Sequence, residues 1–123
     1  MNPTIKRGQP PADSPHVSVA IVGGGACGLM AAIALSDGGI EAVVLERDAS
    51  PSGSSALSSG FVPAPATAVQ KALGIEDSVE LFSKDILDKT QGTAAAHLVE
   101  AYAAAVGPAL DRLQQKHGIT FEV

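Results

Sequence analysis

This 123-residue sequence predicts an α/β fold: a parallel βαβ unit at the start, followed by a mainly helical segment. Three observations carry that prediction. Residues 17–22 (VSVAIV) and 41–46 (EAVVLE) are short, β-branched and almost continuously apolar, as strands buried on both faces of a parallel sheet must be. Between them, residues 26–37 contain no proline and no glycine except Gly28, and so form the crossover helix. The turn from the first strand into that helix is glycine-rich.

Taken in order, residues 1–16 hold four prolines and a basic pair, Lys6 and Arg7, but no apolar run, which describes a disordered leader and not a secretory signal. Residues 17–123 form the folded part. Leu29, Ala32, Ile33 and Leu35 give the crossover helix an apolar face, and Gly38 and Gly39 mark its end. Residues 47–65 are rich in Ser, Gly, Pro and Ala with no sustained period, so they form a long irregular loop. A short helix over 67–73 ends at Gly74. Asp77 then caps a longer helix, with Glu80 in the capping-box position and Val79, Leu81, Phe82, Ile86 and Leu87 on its apolar side. Thr93 caps a helix over 94–106, with Leu98, Val99, Tyr102 and Val106 spaced by three and four. Gly107-Pro108 breaks that helix, and Pro108 opens another that Gly118 ends. The last five residues, ITFEV, alternate like a strand.

Composition narrows the function. A net charge of -5 with no dense Lys/Arg cluster argues against a nucleic-acid surface. No apolar run approaches the ~20 residues of a membrane-spanning helix, so no membrane insertion is expected. The single cysteine, Cys27, and the absence of metal-ligand spacing point to a reduced, cytoplasmic setting without a metal site. A small-molecule substrate is the remaining expectation.

Gly23, Gly25 and Gly28 form G-x-G-x-x-G between a predicted strand and a predicted helix, and Glu46 ends the next strand 18 residues after Gly28. Together these make a Rossmann-like dinucleotide fingerprint. Gly23 permits the tight turn, Gly25 lets the backbone approach a pyrophosphate, and Gly28 lets the helix pack on the strand. The amides of the first helical turn, from Gly24 and Gly25 through Ala26, Cys27 and Gly28, would receive phosphate oxygens at the positive end of the helix dipole. Glu46 would accept hydrogen bonds from ribose hydroxyls and repel a 2′-phosphate, which disfavours NADP. The same spacing suits both NAD and FAD.

The stretches VAIVGGGACGLMAAIAL, VVLERDASPSGSSALSSG and QKALGIEDSVELFSKDIL resemble the amino-terminal part of FAD-dependent oxidoreductases of the fumarate reductase and succinate dehydrogenase flavoprotein type, a group that includes ketosteroid dehydrogenases. The resemblance runs from about residue 17 to the last residue. It implies that Arg47 follows the ribose-binding acid and that Gly53, Ser54, Ser55, Ser58, Ser59 and Gly60 wrap the flavin. Two glycine pairs usual in that family are Ser52-Gly53 and Ser59-Gly60 here. Ser54 stands where succinate dehydrogenases carry the histidine bonded to the flavin, so the resemblance implies non-covalent FAD.

It also implies a substrate domain and further sheet strands outside these residues, and therefore an incomplete, inactive section of a dehydrogenase or reductase. No convergent acid/base set is present, so catalytic residues and any redox partner are unassigned. An NAD-binding Rossmann module and a non-catalytic cofactor-binding protein are the competing readings. His16, His97 and His117 are expected to be surface or capping residues, Cys27 a small buried packing residue, and Glu76, Asp77, Glu80, Asp85 and Asp88 a solvated helix face.

Overall fold

In a computed structural model, residues 12–14 and 16–123 are described. The expected leader falls mostly outside them. The chain divides into two units, one ending at Phe61 and the other running from Val62 to Val123.

In the first unit, strand β1 (Val19–Val22) pairs in parallel with β2 (Ala42–Leu45), with Val19 opposite Ala42 and Val22 opposite Leu45. Parallel pairing requires a crossover, and helix α1 (Ala26–Asp37) supplies it by packing on both strands. The fold is thus mixed α/β with a small two-stranded parallel sheet. Gly23 N–H extends the ladder by donating to the Leu45 carbonyl at 2.8 Å. At the other end of α1, Gly39 takes φ +69° and Ile40 N–H donates back to the Leu35 carbonyl at 2.9 Å, a Schellman closure that only a residue at ease in left-handed space permits. The helix is apolar all round, and none of its residues is fully buried; Leu29, expected on the packed face, is exposed.

The second unit begins with a segment laid along its longest helix. Pro65 is fully buried there and Ala66 is held at φ +54°. Helix α2 (Ala68–Ala72) follows, opened by a capping box in which Thr67 Oγ1 accepts from Gln70 N–H at 3.3 Å and Gln70 Oε1 accepts from Thr67 N–H at 2.8 Å. Helix α3 (Val79–Lys89) is capped by Ser78, whose hydroxyl accepts from Leu81 N–H at 3.1 Å, and not by Asp77 as expected. Asp77 instead accepts from the side-chain amide of Gln70 at 3.0 Å and from Ser78 N–H at 2.8 Å, which draws it out of the cap. Glu80 then lies in the first turn, where its own N–H and the Ser78 hydroxyl hold its carboxyl below the usual range.

Helix α4 (Ala96–His117) corrects two further expectations. Its N-cap is Ala95, because the Thr93 hydroxyl donates at 2.7 Å to the Thr90 carbonyl at the end of α3. It also runs unbroken through Gly107-Pro108. Proline removes one helical donor, and residues 63–68 lie against that stretch. Tyr102 OH donates to the Pro63 carbonyl at 2.8 Å, Asp111 accepts from Ala68 N–H at 2.8 Å, and Gly107 lies so close to the Pro65 carbonyl that a Cβ would collide with it. The core of this unit joins α3 to α4 through Ser83, Val99, Ala103, Val106 and Leu113, with Phe82 and Tyr102 rings 6.1 Å apart. Leu81 and Leu98, expected inside, are exposed. Gly118, at φ +67°, ends α4. ITFEV forms no strand among the described residues, since no strand edge pairs with it.

Candidate functional site

The end of β1, the start of α1 and the end of β2 meet at the glycine turn. Gly23 adopts φ +100°, outside the range of L side chains, and this reverses the chain from strand to helix. A Cβ on Gly28 would collide with the Gly23 carbonyl and come within 3.2 Å of Ile21 Cγ2, so helix and strand approach this closely only without a side chain. Gly25 is different: a Cβ there would meet only Ser55 Oγ, at an ordinary 3.6 Å. The space beside it is open to a ligand.

Gly24 is buried beneath the loop. Its N–H donates to Glu46 Oε2 at 2.7 Å, and a Cβ on it would lie 3.0 Å from that oxygen and 3.3 Å from Pro51 Cγ. The second oxygen of Glu46, Oε1, accepts from Asp48 N–H at 3.1 Å. These two amides, Asp48 first and Gly24 second, hold the carboxyl of Glu46 below the usual carboxylate range. The acid is therefore ionised at neutral pH, fixed in direction, and left with unused lone pairs on both oxygens.

Helix α1 has no side-chain N-cap and no acidic residue in its own first turn, so the positive end of its dipole is met only by groups from outside the helix. One of its amides, Ala26 N–H, donates to Ser55 Oγ at 3.1 Å. That bond ties the serine-rich loop to the helix N-terminus and leaves the Ser55 proton available for an anion. Cys27 is exposed, contrary to the buried role expected of it, because it lies in the first turn on a side of α1 that neither strand covers.

Sequence-predicted residues separate accordingly. The structure brings Gly24 to Glu46 and Ala26 to Ser55. Arg47 sits beside Glu46, but its side chain is 90% exposed and bonded to Asp48. Gly53, Ser54 and Ser55 form a turn that accepts from the amides of Ala56, Leu57 and Ser58, and the Ser58 hydroxyl donates to the Ser55 carbonyl at 2.8 Å. Ser59 and Gly60 follow with φ +59° and +79°. All of these loop residues are exposed. Pro51 and Asp48 also shape the site and carry no motif in the sequence; Ser52 shapes it too, and stands where the resembled family usually has the first glycine of a pair. His97 lies in the first turn of α4 and His117 in the last. No metal-binding group of His, Cys, Asp or Glu occurs among the described residues, and none of their helices is long and apolar enough to cross a membrane.

An uncapped helix start, a glycine with open space beside it and an ionised, pre-aimed carboxylate at the neighbouring strand end fit a dinucleotide with a diphosphate and an adenosine ribose. Comparison with known proteins identifies the class: the chain belongs to the FAD binding domain family, matching it over residues 18–123. FAD is its cofactor. The chain is 34% identical to a fumarate reductase (cytochrome) of Shewanella frigidimarina over 95 residues, covering 76% of this chain and 17% of that protein. It is 38% identical to a urocanate reductase of Eggerthella lenta over 71 residues, 58% of this chain and 12% of that protein. To an acrylate reductase flavoprotein subunit of Shewanella woodyi it is 34% identical over 107 residues, 83% of this chain and 21% of that subunit. The chain thus spans between 12% and 21% of the length of these relatives.

Proposed function

We propose that residues 17–123 are the amino-terminal FAD-binding portion of a flavin-dependent dehydrogenase or reductase, one that moves hydride to or from a carbon–carbon bond of a small organic acid or ketosteroid-like substrate. The observation that carries this reading is the Glu46 carboxylate, fixed between the amides of Gly24 and Asp48 beside an uncapped helix. The reductase names of the relatives support the reaction class.

In this reading Glu46, held by Gly24 N–H, grips the adenosine ribose; the amides of Gly25, Cys27 and Gly28 face the diphosphate, and Ala26 N–H acts on it through the Ser55 hydroxyl. Residues Gly53, Ser54, Ser55, Ser58, Ser59 and Gly60 supply backbone and hydroxyl contacts to the flavin half, with Arg47 at the rim. Bound FAD supplies the hydride chemistry, and this chain supplies binding and orientation. Ser54 offers no nucleophile equivalent to an imidazole, so the flavin is held without a covalent bond. Substrate-binding and acid/base groups lie outside these residues, and the section alone is inactive.

The test is purification of the full-length protein with and without two substitutions, Glu46→Gln and Gly25→Leu. The wild type carries FAD and shows its yellow absorbance, whereas both variants lose most of it. Unchanged flavin occupancy in both defeats the reading. A colourless wild type that binds NAD replaces it with an NAD-dependent module.

A further inference from the structure

Glu46 is exposed, and an exposed carboxylate at a strand end samples several rotamers unless something restrains it. Two amides do so here. One, Gly24 N–H, belongs to a buried residue of the glycine turn. The other, Asp48 N–H, belongs to a loop without regular structure and needs its own anchor. Ser52 Oγ donates to Asp48 Oδ2 at 2.8 Å, closing residues 48–52 into a small ring of chain. The Arg47 guanidinium adds bonds of 3.2 and 3.3 Å to the same carboxylate, but with 90% of that side chain in solvent it restrains little. Within the ring, Pro51 lies over Gly24, with its Cγ 3.3 Å from where a Cβ would stand. Hydroxyl, carboxylate, amide and acid therefore form one line, from Ser52 to Asp48 to Glu46.

We propose that Ser52 and Asp48 are positioning residues that aim the Glu46 carboxylate at the adenosine ribose and so set affinity for the adenosine half of the cofactor. The proposal rests on the reading that Glu46 grips that ribose. With Ser52 bonded, Asp48 N–H stays within reach of Oε1, and Glu46 pays no rotamer cost when the nucleotide arrives. Without it, the 48–52 ring opens and Glu46 Oε1 loses its bond from the Asp48 amide. Residues 48 and 52 touch neither phosphate nor flavin in this scheme, so the isoalloxazine half is indifferent to them.

The experiment measures dissociation constants of FAD, ADP and FMN for the deflavinated full-length protein in wild-type, Ser52→Ala, Ser52→Thr, Asp48→Ala and Glu46→Gln forms. FMN lacks adenosine and so separates aimed effects from general damage. Loss of one restraining hydrogen bond predicts that Ser52→Ala and Asp48→Ala bind FAD and ADP about threefold to tenfold more weakly. FMN affinity and the ligand-free melting temperature stay as in the wild type, and Ser52→Thr restores ADP binding. Equal weakening of FMN and FAD overturns the proposal, as does unchanged ADP affinity in Ser52→Ala and Asp48→Ala while Glu46→Gln loses it. If Glu46→Gln itself binds ADP and FAD normally, the ribose reading fails first and the positioning role fails with it.

Discussion

At the scale of single residues, the glycines of the turn differ in what a side chain would meet, and those differences predict different failures. Gly28→Ala forces a methyl into the Gly23 carbonyl, a backbone atom with nowhere to retreat. The expected cost is about 1–3 kcal/mol, seen as a lower melting temperature together with loss of FAD. Gly24→Ala instead presses on Glu46 Oε2, the movable end of a side chain, so FAD affinity drops more than stability does. Titration supplies a second check. Because the Asp48 and Gly24 amides depress the pKa of Glu46 from its ordinary 4.5, the contribution of the ionised acid is complete above that value and is lost as pH falls through the lower one. FAD affinity should therefore stay level from neutral pH down to the ordinary carboxylate value of 4.5 and decline only below it, a decline that Glu46→Gln removes. The G-x-G-x-x-G spacing and the distant acid were legible because both are fixed by local geometry. Asp48 and Ser52 were not, since their bond depends on how an irregular loop closes, and exposure of Cys27 depends on which side of α1 the strands leave bare.

At the scale of elements, helix α1 has the bounds its composition predicts, 26 to 37, because glycine punctuates both ends. Helix α4 shows where such punctuation misleads. Gly107-Pro108 is a strong local stop, yet the segment from Pro63 to Ala68 is bonded to α4 on both sides of it, at Tyr102 and Asp111, and the helix continues. Gly107 serves a close crossing, not a turn. Gly107→Ala should thus destabilise the second unit by about 1–3 kcal/mol, although alanine is the better helix former, and chemical denaturation would read this directly. A gain in stability would mean that propensity outweighs the crossing. The caps at Ser78 and Ala95, where Asp77 and Thr93 were expected, have the same origin. A polar side chain near a helix start takes whichever partner the neighbouring element offers, and Gln70 and Thr90 offer better ones.

For the molecule as a whole, the described sheet has two strands, with Val22 at 87% and Leu45 at 53% exposure. A two-stranded sheet with open edges is marginally stable in water, and uncovered apolar ends favour association. The 123-residue chain by itself is expected to self-associate with rising concentration in light scattering, and Val22→Lys, which places a charge at that end, should reduce the effect. A chain that stays monomeric and melts cooperatively contradicts this. FAD opposes unfolding in proportion to its affinity for the folded state, by about 2.7 kcal/mol when free ligand is a hundredfold above its dissociation constant. Its effect on the melting temperature gives a measure of the site that needs no substrate.

The amino-acid sequence by itself determined the βαβ start, the glycine turn, the acid at the end of β2 and the class of cofactor, because backbone sterics, strand periodicity and the reach of a diphosphate act over a few residues at fixed spacing. Tertiary structure alone decided that α4 runs through a proline, that Leu29, Leu81 and Leu98 face outward, that ITFEV has no strand partner among the described residues, and that Ser52 reaches Asp48. Each of those outcomes turns on a neighbour distant along the chain or on a loop closing upon itself, and the energies that select it arise only when the surfaces meet.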